Sequence, residues 1–145
     1  MGIELSTHLT TGFEDAVVRT REALAQQGFG VLTEIDVKAT LKAKFGVDME
    51  DYLILGACDP ALAYRAISVD PEIGLLLPCN VVVRGEPGNP QTVIVEAMNP
   101  AMLIQVTGET ALIAIADEVT VKLGTAIASL AASCDSDNAM ATATA

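Results

Sequence analysis

Phe13, Val17, Thr20 and Leu24 recur at three- and four-residue steps, the spacing that gathers side chains on one face of a helix. Thr11-Gly12-Phe13-Glu14 opens this stretch and reads as a capping box with the Thr11 hydroxyl as cap; Gly28 supplies a left-handed stop. Residues 4–9 alternate loosely and predict a strand ahead of the helix, and residues 29–35 predict one behind it. Asp36 then caps a short helix with Val37, Leu41 and Phe45 on one face, ended by Gly46. Lys38, Lys42 and Lys44 lie largely off that stripe and read as a solvated face. After an acidic loop at 48–51, residues 52–57 have the composition of a buried strand. Asp59-Pro60 is a helix start, with Asp as cap and Pro at the first helical position. That helix runs to about Val69 with Leu62, Ala66 and Ile67 inward, and Asp70-Pro71 ends it.

Residues 75–77 and 81–84 are apolar on either side of Pro78, which opens the strand or sits at a bulge. Residues 85–91 read as a hairpin loop and 92–97 as the returning strand. Asn99-Pro100 starts a short helix through Val106, stopped at Gly108. Residues 109–132 form the longest element, with Leu112, Ile115, Val119, Leu123, Ala126 and Leu130 on one stripe. Ile113, Val121 and Ala128 lie off it, which calls for a second packing partner. Residues 133–145 lack periodicity and read as a disordered tail behind a single domain at 1–132. The element order β-α-β-α-β-α-β-β-α-α predicts an α+β fold: a mixed, mainly antiparallel sheet with helices packed on one face. No G-x-G-x-x-G or P-loop follows a strand, so a dinucleotide-binding fold is excluded.

Composition narrows the classes of function. Half of the 145 residues are apolar (51%), too many for a disordered chain. Eight basic residues face 19 acidic ones, for a net charge of −11 at pH 7. Scattered basic residues do not make a phosphate-binding surface, so neither nucleic acid nor an anionic membrane is an expected partner. Mean hydropathy is +0.45, yet no apolar run approaches the roughly 20 residues of a membrane span. No signal peptide is visible, and three cysteines are too few for a disulfide scaffold, so the expectation is a soluble cytoplasmic protein with reduced thiols.

Candidate chemistry is concentrated at one local echo. Ala57-Cys58-Asp59-Pro60-Ala61-Leu62 repeats as Ala97-Met98-Asn99-Pro100-Ala101-Met102: a strand end, a sulfur-bearing residue, then a cap-Pro pair. Such corners recur because the cap chemistry is common; the sharper reading is a structural duplication. Cys58 stands one residue before a helix cap, where the helix dipole lowers a thiol pKa, while Asp59 opposes that effect. Cys79 opens an apolar strand. Both are equally readable as small buried hydrophobes. They meet only if their strands are antiparallel or bulged at Pro78; parallel neighbours would hold them about 16 Å apart. With Met98 they form a soft-ligand set suited to Cu(I) or haem iron if they converge. Glu96 is a carboxylate in an apolar strand. Glu34 and Asp36 share a strand face, although Asp36 reads better as a cap. The single histidine, His8, supports neither a zinc set nor a Ser-His-Asp triad.

Three blocks in order, Gly28–Val37, Ile54–Ala63 and Gly74–Val83, resemble the bacterial and archaeal domain-of-unknown-function 302 family, and the likeness covers about residues 5–131. The resemblance implies a compact α+β fold of TATA-binding-protein-like shape, a homodimer, and no assigned activity. One branch of that family carries cysteines matching Cys58 and Cys79; the tail with Cys134 has no counterpart. The resemblance assigns no catalytic residue and no cofactor; Cys58 and Cys79 are the candidates for any catalysis. The leading expectation is a binding or sensing domain with Cys58 and Cys79, joined by Met98 and Glu96, facing a soft metal, a sulfur species or an oxidant. The alternatives are a thiol redox enzyme with Cys58 as nucleophile and Cys79 as resolving partner, and a homodimerisation module without chemistry.

Overall fold

The computed structural model describes the backbone from residue 4 to residue 144 and side chains from 5 to 131. Five strands, β1 (Glu4–Thr10), β2 (Gly30–Asp36), β3 (Tyr52–Cys58), β4 (Cys79–Glu86) and β5 (Asn89–Met98), form one sheet in the order β1-β5-β4-β3-β2. Every adjacent pair is antiparallel, so the expected mixed sheet is a wholly antiparallel one. The helices are α1 (Phe13–Gln26), α2 (Val37–Phe45), α3 (Pro60–Val69), α4 (Ala101–Thr107) and α5 (Ile113–Thr144), with 3₁₀ turns at Pro71–Leu76 and Thr110–Leu112. The α+β expectation and its element order hold. The tail expected over 133–145 lies outside the residues whose side chains are described.

Alternation along the strands builds the core. Leu53, Leu55 and Ala57 of β3, Val81 and Val83 of β4, and Val93, Val95 and Ala97 of β5 all face one side and are buried. α1 crosses from one sheet edge to the other over that face, and α5 packs beside it and on β1. The predicted α5 stripe is the buried one: Leu112, Ile115, Val119, Leu123, Ala126 and Leu130 are all enclosed. Ile113 and Val121 remain exposed, with no second partner among the described residues.

Local expectations fail where tertiary context decides. Thr11 does not cap α1; the cap residue is Gly12, and the Thr11 hydroxyl donates to the Asp15 carboxylate at 2.7 Å. The stripe on α2 finds no core: the helix sits between β2 and β3, Phe45 is exposed, and none of its residues is fully buried. Ile67 of α3 is exposed, whereas Leu62 and Ala66 are buried as expected. Residues 71–76 form a 3₁₀ turn leading to a cis Leu77–Pro78 bond, so Leu75 and Leu76 are not strand. The hairpin is tighter than expected, with only Pro87 and Gly88 between β4 and β5.

One glycine fixes the packing of β3. A Cβ on Gly56 would collide with the Thr33 hydroxyl across the β2–β3 pair and lie 2.8 Å from Pro78 Cγ. Gly56→Ala is therefore expected to lower unfolding stability by about 1–3 kcal/mol, the range for overpacking. A urea midpoint unchanged from wild type contradicts this close approach.

Candidate functional site

Because β3 and β4 are antiparallel with Ala57 opposite Cys79, the two cysteines lie at the same end of the sheet. Cys58 follows Ala57 by one residue, so strand geometry sets the two cysteine Cα atoms about 6 Å apart. That is a disulfide-compatible backbone spacing. Cys79 shares the helix-covered face with Ala57, and Cys58, the last residue of β3, lines the same cavity. Both thiols are free; Cys79 is buried and Cys58 partly exposed.

A cavity lies under this corner. β3 and β4 contribute Ala57, Cys58 and Cys79; α3 contributes Leu62, Ala63 and Ala66. Phe29, Leu77 and Leu103 close the sides, and Leu112, Ile115, Ala116 and Val119 of the last helical segments form the roof. About 40 Å³ of it admits a water-sized sphere. Its walls are apolar apart from the two thiols and the Asp59 carboxylate.

Asp59 is the hinge of the site's electrostatics. Its Oδ1 accepts from the backbone N–H groups of Ala61 at 3.1 Å and Leu62 at 3.3 Å, capping α3 as the Asp-Pro pair predicts. Its Oδ2 accepts from Lys122 Nζ of α5 at 2.8 Å, and only 9% of the Asp59 side chain is exposed. Gly28, held at φ +89° at the end of α1, lies against this pair; a Cβ there would sit 3.4 Å from Oδ2. Burial alone would raise the Asp59 pKa, but the Lys122 hydrogen bond, the Leu62 and Ala61 N–H groups and the Lys122 charge together hold it below the ordinary value.

The thiols respond in the opposite sense to the activation expected for Cys58. Burial first, and then the Asp59 charge, push the Cys58 thiol up. The α3 N–H donors that would have favoured a thiolate already serve the Asp59 carboxylate. Burial, helped by any charge on Cys58, pushes Cys79 up to about 11. Both thiols are neutral at physiological pH.

Other candidates lie elsewhere. Met98 ends β5 opposite Glu4 and packs on the edge of the core, not on the cavity. Glu96 accepts from Arg84 Nε at 2.6 Å across the β4–β5 pair, which explains a carboxylate in an apolar strand. Neither joins the cysteines, and no group of three or more His, Cys, Asp or Glu side chains is placed to hold a metal ion among the described residues. Asp36 caps α2 through Ala39 N–H at 2.8 Å, and Glu34 pairs with Arg21. His8 is exposed on β1. The sequence echo is realised as two corners: β3 and β5 both run antiparallel to β4, and Asn99 Oδ1 accepts from Ala101 N–H at 3.0 Å as Asp59 does at its own helix. Lys122 escaped notice in the sequence, although it is the one cation in the otherwise apolar and acidic stretch 109–132.

The fold defines a class: an antiparallel sheet covered on one face by helices. Within that class the family described as Domain of unknown function DUF302 matches residues 5–130, and the chain belongs to it. A solved structure described as an uncharacterized conserved DUF302 protein from Bacillus stearothermophilus is 30% identical, with a TM-score of 0.79 over 88% of this chain and 97% of that one. A search of curated proteins finds no match. No helix among the described residues is long and apolar enough to cross a membrane.

Two tests follow. Cys58 should alkylate with iodoacetamide more slowly than a free cysteine at pH 7–8, and Cys79 more slowly still, both rates rising with pH through the alkaline range. Mass mapping that finds Cys58 faster than free cysteine contradicts the raised pKa. Since the Asp59 pKa is lowered on folding, its contribution is present above the unfolded value of about 3.9 and lost as pH falls through the folded one. Asp59→Ala should cost about 0.5–2 kcal/mol at pH 7 as a lost cap. It should also flatten the acid limb of stability against pH, measured by urea unfolding at pH 7 and pH 3; an acid limb as steep as wild type contradicts the assignment.

Proposed function

We propose that this chain is a ligand-binding or sensing domain whose site is the cavity under the β3–α3 corner, with Cys79 as the thiol inside it and Cys58 at its rim. The observation that carries this reading is the cavity itself: it joins β3, β4, α3 and α5 around a buried thiol. Pockets of this make-up, apolar with few polar groups, are the usual form of small-ligand sites. Of the expected ligand classes, an uncharged sulfur species or oxidant fits this apolar lining, and it would meet Cys79 first as a neutral thiol.

The redox-enzyme alternative draws less support. A thiol nucleophile needs a low pKa, and burial together with the Asp59 charge raises that of Cys58.

The test is access to Cys79 in the folded, full-length protein. Methyl methanethiosulfonate, small and uncharged, should modify Cys79 faster than global unfolding permits, and Ala63→Leu, which fills the mouth, should slow that reaction at least tenfold. Modification of Cys79 only at the unfolding rate overturns the reading.

A further inference from the structure

The cavity's walls specify more than that something binds. Seven aliphatic or aromatic side chains of medium or large size and four alanines line it, and its polar members are two thiols and one carboxylate. An ionic ligand would need a counter-charge there, since an unpaired charge in an apolar site is strongly disfavoured. The carboxylate at the rim is already matched by Lys122 Nζ at 2.8 Å and by two backbone N–H groups of α3. Lys122 is matched in turn, so neither sign of charge is left open to a ligand at this corner.

Cys79 offers one weak S–H donor and a weak sulfur acceptor, enough to orient a ligand but not to replace the hydration of a strongly polar one. Space sets the size. About 40 Å³ open to a water-sized sphere exceeds the minimum for a single water and falls short of a nucleotide or a flavin. A cavity without the two to four polar partners that hold a water stays dry and takes small apolar molecules.

Resting on the cavity as the binding site, we infer that its ligand is a small, uncharged, predominantly apolar molecule of a few heavy atoms, and that the Asp59–Lys122 pair at the rim excludes ions of either sign by satisfying both of its own charges. The pair also ties α5 to the start of α3, so it fixes the width of the opening while it neutralises it.

The test uses three probes of two or three heavy atoms: ethane, formate and methylammonium. With the full-length protein, ethane at ten times its Kd should raise Tm by on the order of 5 °C. It should also slow methanethiosulfonate modification of Cys79 at least tenfold, while the two ions change neither. Ala63→Leu should lose both responses; Ala63→Val serves if the larger change impairs folding. Protection by either ion, or ethane protection undiminished in the filled variants, overturns the ligand class. So does free reagent access to Cys79 with no protection by ethane, an outcome that leaves the cavity as the site. If the reagent never reaches Cys79, the site reading falls and this inference with it.

Discussion

The pairing of β3 with β4 is the constraint on which the rest of the molecule depends. Tyr52 opposite Arg84 and Ala57 opposite Cys79 are the ends of one unbroken antiparallel register. Shifting it by one residue would turn Leu53, Leu55 and Ala57 away from the helices and bring Tyr52, Ile54 and Cys58 under them. Gly56 restrains such a slip, because only a residue without Cβ fits between Thr33 of β2 and Pro78. The register thus places the end of β3 beside the start of β4. The corner, the cavity and the gathering of both thiols at one end of the sheet all follow from that placement.

Where hydrophobic spacing reported a face that tertiary structure uses, reading the chain anticipated the fold. The α5 stripe, the Asp59 and Asp36 caps and the left-handed glycines at 28, 46 and 108 are local signals with local causes. The stripe on α2 failed because a pattern reports only the capacity to bury; the helix lies between two strands with no core beneath it. Ile67 failed for a related reason: the inward arc of α3 is narrow, and Leu62 and Ala66 fill it. Whether Cys58 and Cys79 meet depended on strand direction, which no single segment encodes. Met98 and Glu96 shared composition with the site but not position, since the second corner lies two strands from the first.

Asp59 shows how one residue can settle a competition that sequence leaves open. A cysteine ahead of a helix invites a thiolate, because unsatisfied N–H groups attract negative charge. A carboxylate one residue later is the better competitor for those donors: it is already ionised and sits in the cap position. Once it has them, it leaves Cys58 both without stabilisation and next to a negative charge. Burial first, and then the carboxylate that starts α3, raise the thiol's pKa. Lys122 then compensates the carboxylate from α5, and a helix cap becomes a tether between elements 63 residues apart in sequence.

Space left at the corner also needs a physical reason. Protein interiors pack as densely as organic crystals, and a void forfeits dispersion contacts on every wall that faces it. At this corner the walls include Ala57, Ala63, Ala66 and Ala116, four small side chains from three different elements. Elsewhere the same layers are filled with leucine, isoleucine and valine at comparable depth, as at Leu55, Val81 and Leu123. A fold that packs closely in its centre and stays open beside a buried thiol is giving up contact energy at this corner. That localisation is the physical ground for treating the opening as a binding site and not as a packing defect.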